Sequence, residues 1–175
     1  MAVNTGAPVT TSERGSASSP ARTYYEACVG RWRSTFELTV SDPGALSRSG
    51  MSLVDRLSLR VLSAWPRWLG RVYLDTTVAC GDGDEVVHTT AVRWLGLTLR
   101  RSTEIFRLEP DGRSLTVRGG MSGAGTVDAS STRAEYDLCW LGVAIRQRTV
   151  REPDLVTVSQ EGPGFHGAQT LVRQR

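Results

Sequence analysis

The tripeptide Trp-Leu-Gly occurs three times, at 68–70, 94–96 and 140–142, and each copy launches a β-rich run carrying a threonine seven residues after its glycine (Thr77, Thr103, Thr149). A Leu-Gly pair between two alternating runs reads as a two-residue hairpin loop, which fixes which residues face each other and therefore which share a face. The unequal spacings of 26 and 46 residues exclude a solenoid. From Val72 onward, short β-rich runs are divided by turn signals such as GDGD, EPDG, DASS, REPD and EGPG, the pattern of an all-β sandwich or barrel. With 175 residues, one domain is expected.

Ahead of these runs, residues 1–22 are mostly Ser, Thr, Ala, Gly and Pro, too poor in large apolar side chains to offset the entropy of ordering, so a disordered tail is expected there and a folded domain over 23–175. Thr23 and Glu26 have capping-box spacing and predict a short helical turn ending at Gly30. Trp32, Ser34, Phe36, Leu38 and Val40 then alternate with polar residues in a strand. Ser52 and Asp55 open the one substantial helix, 52–65, with Leu53, Val54, Leu57, Val61, Leu62 and Trp65 on an apolar face that should close or line a cavity mouth. Pro66 ends it.

A loop at Leu141-Gly142 sets Asp137 opposite Arg146 and Glu135 opposite Arg148, two opposite-charge pairs from one assumption. Trp140, Leu138, Tyr136 and Ala134 then share an inner face with Val143, Ile145, Gln147 and Thr149. The same step at Leu95-Gly96 places Trp94, Val92, Thr90, His88 and Val86 with Leu97, Leu99, Arg101, Thr103 and Ile105. A four-residue loop at 81–84 adds Tyr73, Asp75, Thr77 and Ala79 to that face. Continuing through the last turns brings Val156, Val158, Gln160, Phe165, Gln169 and Leu171 inward and points His166 out. An inner face holding Asp75, His88, Arg101 and several glutamines cannot be a dry core, so the expected fold is a single closed antiparallel β-barrel of about 8 to 10 strands around a ligand cavity, with one helix between strands one and two.

Gly30-Arg31-Trp32 after a short helical turn resembles the G-x-W that opens the first strand of calycins, the lipocalin and fatty-acid-binding-protein superfamily. The helical insertion after strand one is similar to the lid of the fatty-acid-binding branch, and the resemblance spans residues 23–174. It departs at the C-terminus, where Arg173-Gln174-Arg175 replaces that branch's terminal Arg-x-Tyr, and Arg33-Ser34 does not continue the Gly-rich opening of heme-binding relatives, so no heme ligand is implied. Barrel cyclases of bacterial natural-product pathways share the outline.

Two functions follow as expectations. In the first, a cofactor-free enzyme folds a small, largely apolar metabolite in the lumen for cyclisation or isomerisation. Arg101 would stabilise developing charge, and Asp75 or His88 would move a proton. Tyr73, Thr90, Trp94, Tyr136, Trp140, Gln147, Gln160, Gln169, Phe36 and Trp65 would line the ligand. In the second, the barrel carries or senses a lipid-like or carboxylate-bearing molecule, and Asp75 with Arg101 is either a ligand-holding layer or a structural ion pair. Val72, Leu74 and Val78 form an outward apolar stripe that suits a homodimer or cover by the N-terminal turn.

Other classes are disfavoured. All 21 basic residues are Arg and the net charge is +3, but Arg146 and Arg148 already have acidic partners and no basic stripe interleaved with exposed aromatics remains for nucleic acid. No H-x-H or H-E-x-x-H spacing supports a metal site. No apolar run is long enough to span a membrane, and the first residues carry no apolar signal core. Three cysteines without C-x-x-C spacing fit reduced thiols and a cytoplasmic location.

Overall fold

The computed structural model describes residues 18–65 and 71–175, and they form a closed barrel of ten antiparallel strands. The elements are α1 (Pro20–Cys28), β1 (Gly30–Val40), α2 (Pro43–Arg48), α3 (Leu53–Ser63), β2 (Val72–Cys80), β3 (Glu85–Trp94), β4 (Leu97–Leu108), β5 (Ser114–Gly119), β6 (Met121–Val127), β7 (Arg133–Trp140), β8 (Val143–Glu152), β9 (Leu155–Gly162) and β10 (Phe165–Gln174). Consecutive strands pair around the wall, and β1 closes it against β10 over ten facing pairs from Arg31–Gln174 to Val40–Phe165. The expected all-β barrel is the fold. Its insertion between β1 and β2 holds two helices, α2 and α3.

The barrel has two unlike ends. One carries the β2–β3, β4–β5 and β8–β9 turns and is plugged by α1, whose Tyr24, Tyr25 and Cys28 are buried. This helix begins at Pro20, earlier than the capping box predicts, because Ser19 caps it, accepting from Arg22 N at 3.3 Å, and proline at the first helical position costs no hydrogen bond. Residues 20–22 are therefore helical, and the expected tail at 1–17 lies outside the described residues. Arg173 ties α1 down: its guanidinium donates to Val29 O at 2.7 Å and Ala27 O at 2.5 Å and lies 4.4 Å over the Trp32 ring. The other end carries α2 and α3 with the β3–β4, β7–β8 and β9–β10 turns.

Both described Trp-Leu-Gly turns are two-residue hairpin loops with positive φ at each central residue, 47° and 83° at Leu95-Gly96 and 52° and 79° at Leu141-Gly142. That is the twist a tight hairpin needs, and leucine adopts it at a local cost on the order of 1 kcal/mol. The first copy lies outside the described residues. The β7–β8 register is as expected throughout, with Arg146–Asp137 and Arg148–Glu135 contacts at 3.4 Å each.

The β2–β3–β4 wall differs by one residue in two places. Trp94 faces Leu97 as expected, but the register shifts between Val92 and Arg93, so Leu99 has no facing residue and Val92 meets Arg100, Ala91 meets Arg101 and His88 meets Glu104. This bulge sends the rest of β4 to the opposite face. Arg101, Thr103 and Ile105 point outward, while Ser102, Glu104, Phe106 and Leu108 point in. At the other turn, Gly81 N donates to Glu85 O at 2.8 Å and Gly83 has φ 61°, leaving a three-residue loop, one shorter than expected. Val78 thus faces His88. Tyr73, Asp75, Thr77 and Ala79 turn outward. The Val72, Leu74, Val78 stripe, expected outside as a dimer surface, belongs to the inner face, with Val78 in the core.

The helix face is also reversed. Leu53, Val54, Leu57 and Val61 are 73 %, 73 %, 61 % and 48 % exposed, whereas α3 is anchored through buried Leu59 and partly buried Leu62. Arg56 Nη1 donates to Ser47 O at 2.8 Å and orients the helix against α2. Ser52 and Asp55 open the helix as expected: Ser52 Oγ accepts from Asp55 N at 3.1 Å and donates to the Asp55 carboxylate at 2.6 Å.

Candidate functional site

The expected catalytic layer is dispersed. Asp75 lies outside, where its carboxylate accepts from Arg33 Nε at 2.8 Å and stands 3.0 Å from Arg93 Nε as an ion pair. Tyr73 lies beside it on the outer wall under the Arg33 guanidinium, 4.7 Å from the ring centre. Arg101 is exposed on the outer face. Asp75 is therefore an outer-wall ion pair with Arg33 and Arg93, and Arg101 has no part in it. Of the three groups expected to act together, only His88 faces inward.

What the register brings to His88 is Glu104. The two face each other on neighbouring strands, a placement that sets Cβ atoms roughly 5 Å apart. Glu104 is 5 % exposed, and burial raises its carboxyl above the usual value, outweighing the Ser102 hydrogen bond and the Arg100 charge, which lower it. Burial drives the His88 imidazole down to about 4, so it is neutral at physiological pH. His88 packs against Phe106, ring centres 4.3 Å apart, and against Tyr25 of α1 at 5.8 Å. The residue keeps a partly exposed edge, but its Nε2 is shut from solvent and has no partner in the protein.

Above this pair, Thr76 and Thr90 share a hydroxyl hydrogen bond of 3.1 Å, and Thr90 faces Ser102. One wall of the lumen thus carries a polar ladder of Thr76, Thr90, Ser102, Glu104 and His88. Ser34 on adjacent β1 is 2 % exposed with its Oγ unpartnered. On the far wall Gln160 Nε2 donates to Gln147 Oε1 at 2.7 Å. Gln169 is on the inner face beside Phe36 and Val158. The rest of the lining is apolar: Trp32, Phe106, Leu138, Ile145, Val156 and Phe165 are buried there.

At the α1 end the lining is closed by phenols. Tyr25 and Tyr136 share a 2.8 Å hydroxyl bond and Tyr24 bonds Thr149 at 2.7 Å. Burial raises all three, Tyr136 to about 12 and the other two well above the ordinary phenol value, so none releases a proton near neutrality. Trp140 stacks edge-on against Phe165 at 6.0 Å, and Trp65 meets Trp94 at 5.7 Å, joining the end of α3 to the β3–β4 hairpin. Of the expected ligand lining, Thr90, Trp94, Tyr136, Trp140, Gln147, Gln160, Gln169 and Phe36 face the lumen, Trp65 closes its mouth, and Tyr73 does not take part.

Among the described residues no cluster of three or more His, Cys, Asp and Glu could hold a metal, and no helix is long and apolar enough to cross a membrane. Glu104, Ser102, Ser34 and Thr76 are the site residues that turn arithmetic missed. The signal for the first two was local, since Phe106 and Leu108 alternate in step with them and Arg101 and Arg107 do not.

No protein-family model matches this sequence, and no curated protein does. Solved structures do. Rv2717c from M. tuberculosis is 14 % identical, with 89 % of this chain and 98 % of that one covered at a TM-score of 0.54. That likeness shows a shared fold. The REP1-NXSQ fatty acid transporter, at 11 % identity, covers 86 % of this chain and 98 % of its own at 0.49, and Echinococcus granulosus fatty-acid-binding protein 1, at 12 %, covers 86 % and 99 % at 0.49.

Proposed function

We propose that this chain is a non-catalytic binder of one small, largely apolar molecule, held inside the barrel. The observation that carries the reading is the lumen's composition: aromatic and aliphatic side chains interrupted by one polar ladder, in which Ser34 Oγ and His88 Nε2 are buried without a protein partner. A buried polar atom left unpaired costs about 1 to 3 kcal/mol, so such atoms are kept where something else satisfies them. A mostly apolar cavity with a few convergent polar groups is the usual make-up of a small-molecule site.

Cyclisation or isomerisation was to use Asp75 and Arg101 with His88, and the outer placement of the first two removes a charge-stabilising partner from the lumen. Binding needs neither. The unpaired thiols of Cys28, Cys80 and Cys139 support a reducing, cytoplasmic setting.

The test is saturable binding of the neutral dye Nile red. One dye should bind per chain, and Thr90→Trp, which fills the lumen beside Thr76, should abolish it on folded protein. Dye binding unaltered by Thr90→Trp would place the dye on the exposed apolar face of α3 and overturn the reading.

A further inference from the structure

We propose that the lumen selects an apolar molecule whose polar end is a hydrogen-bond donor, an amine or a hydroxyl, over one ending in a carboxylate. This rests on the lumen-binding reading above and names its ligand class.

Glu104 is the one acidic side chain on the inner face among the described residues, and it is nearly fully enclosed. Its place is built by the backbone. A Cβ on Gly120 would stand 2.7 Å from Glu104 Oε1 and 3.1 Å from Ser102 Cβ, and Gly119 has φ 125°, so any side chain at this turn would displace the carboxylate or strain the chain. The turn also ends the wall: β4 faces β5 only from Glu104 to Leu108, and Gly120 N closes onto Thr103 O at 3.2 Å. Above that point β4 runs on without β5 beside it. Glu104 therefore sits at the floor of a notch between the lumen and the β4 edge.

The cations that could hold a ligand's carboxylate point outward or are already engaged by groups of the protein. Arg101 points outward because of the Leu99 bulge. Arg151 and Arg173 follow the inward alternation of their strands but are spent at the α1 end, Arg151 on Ser131 O at 2.9 Å and Arg173 on the α1 carbonyls. Arg100, exposed on the inward side of β4, is close enough for its charge to act on Glu104 and is that carboxylate's own counter-ion. His88, the base nearest Glu104, stays neutral. A carboxylate brought beside Glu104 would meet a like charge, or an acid short of a counter-cation, in a medium where unpaired charge is costly. A donor head group instead finds acceptors: the Glu104 carboxylate and, facing it across the strand pair, the unpartnered His88 Nε2. Hydrogen bonds to a charged acceptor are the stronger kind.

The experiment is displacement of bound Nile red at pH 7.4 by three ligands with the same chain: dodecylamine, 1-dodecanol and dodecanoate. Dodecanoate should need at least about tenfold more ligand for half-displacement than either of the others. In Glu104→Gln, which keeps shape and removes the charge, the amine should lose about fivefold or more relative to the alcohol. Dodecanoate displacing dye as readily as the other two in the wild type would overturn the selectivity while leaving lumen binding intact. An unchanged amine-to-alcohol ratio in folded Glu104→Gln would remove Glu104 from it. Absence of any saturable dye binding would take down the binding reading and this one with it.

Discussion

His88 gives the sharpest energetic test, because its burial ties stability to pH with a sign that can be worked out beforehand. The imidazole falls from 6.5 to about 4 on folding, for one dominant reason, burial. A base whose folded value is depressed binds its proton more weakly in the folded state. Its stabilising contribution is complete above pH 6.5 and is lost as pH falls through 6.5 toward 4. Between those values the loss is about 2 kcal/mol at pH 5, rising to a ceiling of about 3 kcal/mol below pH 4. The partly exposed edge of the ring makes these upper figures. Glu104 works in the other direction: its carboxyl is raised, so its penalty grows as pH rises through that value and is relieved in acid. The perturbation is His88→Phe, which keeps a ring between Phe106 and Tyr25 and removes the titration. Urea unfolding of wild type and variant at pH 7.5 and pH 5.0 gives four free energies. Any packing cost of phenylalanine cancels in the difference between the two pH values, and Glu104, His166 and the surface carboxylates are common to both proteins. The wild type should lose up to about 2 kcal/mol more than the variant, near 4 to 8 °C in melting temperature for a domain of this size. Equal losses would mean that His88 is solvated or charge-compensated in the fold, and the enclosed ladder would be refuted.

Three further outcomes follow from the packing. Tyr25→Phe should cost about 1 to 2 kcal/mol by leaving the buried Tyr136 hydroxyl short of a partner, and the double Tyr25→Phe, Tyr136→Phe variant should cost less than the sum of the singles in a thermal or urea cycle. Asp75→Asn breaks outer-wall contacts with Arg33 and Arg93 whose partners are 52 % and 35 % exposed, so unfolding should shift by no more than about 1 kcal/mol and Nile red affinity should stay put; a large loss of dye binding would return Asp75 to the lumen. Leu57→Asp places a charge where leucine is already 61 % exposed, so stability should change by less than about 0.5 kcal/mol, and a cooperative loss of several kcal/mol would show that α3 buries the face seen here as open.

What was legible in the sequence was set by how local each signal is. The β7–β8 hairpin was readable to the last pair because a two-residue turn and two opposite-charge pairs fixed one register, and nothing between them interrupts the ladder. The face of β1 was readable from alternation, and those of β9 and β10 from a register carried through two turns that hold no bulge. The β2–β3–β4 wall failed because a register was propagated across two turns, and a single extra or missing residue reverses every side chain beyond it. Leu99 supplied the extra residue, with no mark in the sequence. The 82–84 loop supplied the missing one, and there Asp-Gly at 82–83 was a usable sign, since glycine in the left-handed region suits a three-residue hairpin loop.

A second source of information lay unused in the same strands. Val72, Leu74 and Val78 are apolar in one phase of β2, and Phe106 and Leu108 in one phase of β4, while Asp75, Arg101 and Arg107 occupy the other. Burial of those apolar side chains is worth about 1.5 to 3 kcal/mol each, far more than a hairpin gains by avoiding a bulge, so alternation should outrank turn arithmetic wherever they conflict. Applied to β4, that rule removes Arg101 from the lumen and puts Ser102 and Glu104 in. The consequence is chemical. The same one-residue bulge that turns Arg101 outward brings Glu104 to the inner face, and the head-group selectivity proposed above turns on that exchange.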